Sequence, residues 1–209
     1  MRDIQKEIQD NLDAIEKKYD VKILLAVESG SRAWGFASPD SDYDVRFIYV
    51  HRPEEWDALK VAAMHYFSEK SALCHYYGTA NSTLQGFLTG DMIRYKKYFY
   101  ALRPLLCCIW IERYHTVPPM EFDKLLTMFR EPDDVLTQDL YAAIRELLAR
   151  KAETEEKDLN PQMPAIISFI REECARQKQI SDSAPDDHNH DYAELNEAFR
   201  KLLAGRNRA

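Results

Sequence analysis

The sequence predicts an α/β (α+β) protein: a small mixed β-sheet at the start of the chain, followed by a larger helical region. Three observations carry this. Two short apolar runs rich in β-branched residues, Val21 to Val27 and Val45 to Val50, lie close together near the start. After Trp56 nearly every apolar pattern has helical spacing. The chain has 209 residues, 45% hydrophobic and 30% charged, enough to bury a core as one domain or two small ones.

The elements follow in order. Ile4, Ile8, Leu12 and Ile15 form one apolar face of a helix that ends near Tyr19. Val21 to Val27 reads as a buried strand. Arg32 to Phe36 reads as a short helix, and Ser38-Pro39-Asp40-Ser41 as a loop. A second strand is expected from Asp42 to Val50, with Asp42, Asp44, Arg46 and Ile48 on one face. Helices are predicted over 56–67 and 71–83, with a break at Gly86 to Gly90. Met92 to Ile111 reads as a long apolar helix that Pro104 should kink or split. Shorter helices follow at Glu121 to Phe129, Asp139 to Lys151 and Pro164 to Lys178, with Lys151 to Asn160 as a charged linker. Ser181 to His190 has almost no core-forming residue and is expected to be mobile, and Tyr192 to Leu203 is weakly amphipathic. His188 and His190 among aspartates read as a solvated acidic tail rather than a metal site. The expected domains are residues 1–56, 57–178 and a tail from 179 to 209.

A net charge of −7 argues against a chain built as a whole to coat nucleic acid or an anionic membrane. Cys74, Cys107, Cys108 and Cys174 show no metal-ligand spacing, and Cys107 and Cys108 read as buried thiols. The first residues are charged, without the apolar segment of a secretion signal, and no apolar run is long enough for a bilayer. The expectation is a cytoplasmic protein with no membrane association.

Chemistry concentrates between Glu28 and Val50. Gly30-Ser31 follows the first strand, where glycine lets a phosphate approach the backbone and the serine hydroxyl and following amides donate to it. Asp42 and Asp44 supply two hard oxygen ligands suited to Mg²⁺, which takes its remaining ligands from water and substrate phosphates. Together these describe phosphoryl or nucleotidyl transfer.

The ordered set, apolar strand, Gly30-Ser31, spacer and Asp42-x-Asp44, resembles the nucleotidyltransferase superfamily of DNA polymerase β type. The longer string from Gly30 to Phe47 resembles its RNA-repair-associated (RlaP-like) branch. So do the segments 49–56, 96–106 and 118–122, and the resemblance covers roughly residues 20–175. It implies that residues 1–56 are the nucleotidyltransferase core, that Gly30 and Ser31 hold nucleotide phosphates, and that Asp42 and Asp44 are catalytic and bind Mg²⁺. It also implies transfer of a nucleoside monophosphate from an NTP such as ATP to an acceptor hydroxyl on RNA or protein. Arg32 and Arg46 flank the motif, and Lys96 and Lys97 stand among Tyr95, Tyr98 and Tyr100 in the helical half; all four are candidate nucleotide contacts.

This sequence departs from the family pattern after Trp56. The segment that carries a third strand and a third carboxylate in relatives is short here by a few dozen residues, and neither Glu28, Asp40 nor Asp57 has that context. Two further readings therefore stay open: a nucleotide- and metal-binding module without turnover, and an antitoxin-like protein that modifies or caps a partner.

Overall fold

A computed structural model describes residues 4–50, 61 and 64–204. Two compact units interleave along the chain: residues 1–29, 43–67 and 188–209 form the first, residues 30–42 and 68–187 the second. The helix expected over 56–67 and Asp57 fall largely outside the described residues. Among the described residues no helix is long and apolar enough to cross a membrane.

In the first unit, α1 (Ile4–Tyr19) precedes β1 (Lys22–Ser29), which pairs antiparallel with β2 (Asp44–Val50). The ladder runs from Lys22 opposite Val50 to Ser29 opposite Asp44, with an irregularity between Ile23 and Leu25. The Ile23 amide donates to Glu16 Oε1 at 2.6 Å, which pins the end of α1 to the start of β1. The expectation of a buried strand fails: no residue of β1 is buried, and Val27 is 41% exposed. Among the described residues this sheet has two strands, and a two-stranded ribbon cannot enclose either of them. Helix α8 (Ala193–Ala204) belongs to the same unit. Its start is anchored: Tyr192, just ahead of it, stacks on Tyr66 with ring centroids 5.9 Å apart, and Glu194 in its first turn meets His65 at 2.9 Å.

The second unit contains the core. Helix α2 (Gly30–Trp34) is followed by a loop whose Phe36, 3% exposed, stacks on Phe99 with centroids 4.2 Å apart. That ring plugs the loop into the helical core. Helix α3 (Glu69–Phe87) leads to the short β3 (Met92–Ile93), then to α4 (Tyr95–Tyr114). Tyr98, Phe99, Leu102, Leu105, Leu106 and Ile111 are buried on several faces of α4, which packs against α3 and α7 (Pro164–Ser183). A helix apolar nearly all round is one meant to be surrounded. Pro104 does not split it: one helix runs through, with the proline buried. Its start differs from the sequence reading, because Met92 and Ile93 pair with Asn160 and Pro161 of β4 (Asn160–Pro161) and Arg94 is still extended.

Between them lie α5 (Phe122–Leu126), a 3₁₀ turn over Thr127–Arg130, and α6 (Gln138–Glu153). Cys107 and Cys108 are buried thiols, as expected, and burial pushes Cys107 up to about 11.

The stretch from 181 to 190, expected to be mobile, is partly fixed. Helix α7 continues to Ser183, and Asp187 returns to the start of α3, accepting the Ser68 hydroxyl at 2.6 Å and the Glu69 amide at 2.6 Å. Ser68 in turn accepts the Ser71 amide at 3.0 Å. Residues far apart in sequence thus build one N-cap. Burial works against the Asp187 charge, but the hydroxyl and amide donors outweigh it and hold its pKa below the ordinary value. Asp187→Ala should cost about 1 kcal/mol in urea unfolding at neutral pH. That difference should vanish in acid, since the contribution of a depressed carboxylate is lost as pH falls through its native pKa.

Candidate functional site

The second unit brings Ser31, from the Gly30-Ser31 pair, into a buried hydroxyl cluster. Gly30 has φ +70, a left-handed conformation that a side chain would strain. This turns the backbone so that Ser31 points inward, where it is 8% exposed. Ser31 Oγ donates to Ser41 Oγ at 3.0 Å, and the Ser38 amide donates to the same oxygen at 2.9 Å. Ser38 Oγ lies 3.0 Å from it. Ser41 Oγ donates onward to Glu156 Oε1 at 2.9 Å. The other carboxylate oxygen of Glu156 accepts Lys96 Nζ at 2.5 Å. The backbone amide of Glu156 donates to Asp40 at 3.2 Å. Three serines, Lys96 and Glu156 thus form one continuous chain of hydrogen bonds.

Lys151 completes the charge cluster. It sits in the last turn of α6 and is 1% exposed, yet among the described residues its Nζ has no hydrogen-bond partner. Burial lowers its pKa against the pull of Glu156 and Asp40, and Lys96 pushes the same way as burial. For Glu156, burial is outweighed by Lys96, Ser41 and Lys151, so its carboxyl stays ionised below the usual range. Burial also opposes the charge on Lys96, but Glu156 and Tyr100 overcome it and raise its pKa.

The pH dependence of stability follows for Lys151, which faces Glu156, Asp40 and Lys96. Between its lowered native pKa and the ordinary value of 10.5, the unfolded chain binds the extra proton, so unfolding free energy rises with pH. Lys151→Met should stabilise the protein by about 1 kcal/mol at pH 7. Urea unfolding of parent and variant should show that advantage shrinking as pH approaches 10.5.

The other sequence-predicted residues are distributed as follows. Arg32 is committed to the loop: its Nη2 donates to the Ser41 carbonyl at 2.7 Å and its Nε to the Asp42 carbonyl at 3.1 Å. Asp42 lies in that loop rather than on the strand, because β2 begins only at Asp44. The alternation expected from Asp42 onward therefore holds from Asp44. Both aspartates are exposed, and among the described residues neither carboxylate has an ion-pair or hydrogen-bond partner. Free oxygen donors of this kind suit a divalent cation. Arg46 is exposed on β2, opposite Val27. Lys97 lies over the Phe87 ring at 3.7 Å and the Tyr100 ring at 5.3 Å, and its pKa is lowered by burial and by Lys96 and Arg94. Tyr95, Tyr98 and Phe99 are buried core.

Sequence reasoning missed Lys151 and Glu156. Lys151 left a signal: Leu140, Ile144, Leu147 and Lys151 share one helical face, so a lysine occupies a core position. Glu156 left none, since it contacts Ser41 from 115 residues away and stands in a charged run that reads as solvated.

A cleft of about 300 Å³ lies beside this cluster in the same unit, lined by Trp34, Tyr76, Tyr100 and Arg103 among others. The Arg103 guanidinium lies over the Trp34 ring at 5.0 Å, and Tyr100 lies under Lys96 at 5.7 Å.

Comparison with known proteins agrees with the motif. A protein of Bacillus subtilis (strain 168), "Uncharacterized protein YcgL", is 34% identical over 230 positions, covering 83% of this chain and 86% of that protein. The alignment has more positions than this chain has residues, so part of the relative has no counterpart here. No solved structure matches. The family described as "RNA repair pathway DNA polymerase beta family" (RlaP) matches residues 4–59 and 54–201, two segments that meet where the chain was expected to be short. With the match spanning nearly the whole sequence, the chain belongs to the RNA repair pathway DNA polymerase β family.

Proposed function

We propose that this protein is a nucleotidyltransferase that moves a nucleoside monophosphate from an NTP to an acceptor hydroxyl. The observation that carries the reading is the buried Ser31 cluster beside Lys96 and Lys151, in a chain that also offers two unpartnered aspartates in the Asp-x-Asp motif. In this reading Gly30 and Ser31 cradle phosphate, and Lys96 supplies positive charge to it. Lys97 and Arg46 are further cationic contacts. Arg32 acts by fixing the Ser41 to Asp42 turn. The cleft lined by Trp34, Tyr100 and Arg103 has room and stacking surface for a nucleobase.

Asp42 and Asp44 hold Mg²⁺, which when bound supplies charge stabilisation to the transferring phosphate. The protein's own donors act before and during transfer: they bind the triphosphate, orient it, and present fixed positive charge where negative charge builds. ATP as donor, an RNA acceptor linked to repair, and a cytoplasmic setting complete the proposal.

The test is incubation of the purified protein with Mg²⁺ and each α-labelled NTP, in the presence of RNA ends and of candidate protein acceptors. Label on an acceptor is the expected result. Binding of NTP with no labelled product under any pairing would favour instead a binding module without turnover, a reading supported by the positions of the relative that have no counterpart in this chain.

A further inference from the structure

We propose that Glu156 occupies a phosphate subsite built from Ser41, Lys96 and Lys151, and that a phosphate group of the incoming nucleotide displaces it. The proposal rests on the nucleotide-binding reading of Ser31 and adds to it a built-in competitor for the ligand.

The geometry is that of an anion site filled by the protein's own carboxylate. Glu156 takes a hydroxyl donor from Ser41 at 2.9 Å and an ammonium donor from Lys96 at 2.5 Å. A serine hydroxyl and a lysine are the donors that a phosphate oxygen would use. Lys151 is the independent sign that the site has donors its own acceptors leave unused. Its ammonium is 1% exposed and has no hydrogen-bond partner among the described residues, an arrangement that is costly unless it has a use. Glu156 and Asp40 are the carboxylates that face Lys151, and neither gives its ammonium a hydrogen bond. A triphosphate carries several charges and more acceptor oxygens.

Glu156 is also on a segment suited to exchange. It lies in the turn from Glu155 to Asp158, closed by the Asp158 amide on the Glu155 carbonyl at 3.1 Å, and is held to the serine loop by its amide on Asp40. Its side chain can leave Ser41 and Lys96 while that backbone contact stays. Nucleotide binding would then replace the Ser41–Glu156 and Lys96–Glu156 bonds with bonds to phosphate, and give Lys151 the partner it lacks.

The experiment is calorimetric titration of the full chain with tripolyphosphate, with ATP and with adenosine as the phosphate-free control. Three variants are compared with the parent: Glu156→Gln, Glu156→Ala and Lys151→Met. Glu156→Gln keeps an acceptor for Ser41 but removes the competing charge, so it should bind tripolyphosphate and ATP at least about tenfold more tightly, with adenosine unchanged. Lys151→Met should bind both at least about tenfold more weakly while melting at a higher temperature, a pair of opposite effects that a purely structural lysine would not give.

Unchanged or weaker tripolyphosphate binding by Glu156→Gln overturns the proposal. Glu156→Ala decides the same point if the glutamine variant does not fold, and Lys151→Met decides it if neither does. If Glu156→Gln shows the gain in tripolyphosphate binding but no form gives labelled product, the transfer reading fails and this one stands. If no form binds tripolyphosphate or ATP, both fail.

Discussion

Replacing Asp42 and Asp44 together by asparagine should reduce nucleotidyl transfer by about 10³-fold or more, while leaving stability within about 0.5 kcal/mol of the parent. The two halves of this expectation have separate grounds. Both carboxylates are exposed, and no contact among the described residues depends on their charge. Asparagine keeps the shape of the side chain and the Asp42 carbonyl that Arg32 holds. It removes only the negative charge that makes the pair a ligand for a hard divalent cation. Tripolyphosphate binding without metal should survive, because Ser31, Lys96 and Lys151 are untouched. Rates of label transfer, thermal melting and calorimetry on the double variant read the three expectations independently. Equal transfer by parent and variant would remove the aspartates from the chemistry.

The parts of the fold that the sequence revealed are those set by local pattern. The apolar face of α1, the two strands, the end of β1 at the Gly30-Ser31 pair and the helical spacing of α4 all follow from residues close together in the chain. What stayed hidden depends on distant partners. Asp42 was expected on β2, but the Ser41 and Asp42 carbonyls are held by Arg32 and the ladder starts only at Asp44. Met92 and Ile93 continue the apolar pattern of α4 into a strand because Asn160 and Pro161 arrive to pair with them. The candidate site divides in the same way. Gly30, Ser31 and the two aspartates are legible as an ordered motif. Lys151 is legible only as a lysine where the period of α6 calls for an apolar residue. Glu156 is invisible until the turn after α6 is seen to bring it to Ser41. Periodicity reports which face of an element is buried, and says nothing about what that face meets.

The largest effect on stability is expected away from this site, at the polar end of the helical core. Along α7, Ile166, Ile167 and Ile170 give way on the buried face to Glu173 and Gln177. Glu173 is 3% exposed and carries a charge that must be matched. Arg176 matches it, donating Nε to Glu173 Oε2 at 2.8 Å and Nη2 to Oε1 at 2.6 Å. Its Nη1 reaches Glu112 of α4 at 2.7 Å, so one guanidinium ties the two helices. The hydrogen bonds to Glu173 and Glu112 outweigh burial and raise the Arg176 pKa further. Arg176→Met removes the cation and, among the described residues, leaves the Glu173 carboxylate the Gln177 amide at 2.8 Å as its hydrogen-bond donor. The cost should be about 3 kcal/mol at pH 7, read by urea unfolding. Adding Glu173→Leu to Arg176→Met should recover much of the loss, because an apolar pair of similar volume needs no counter-charge. No recovery in the double variant would show that the guanidinium acts by packing alone and not by matching the Glu173 carboxylate.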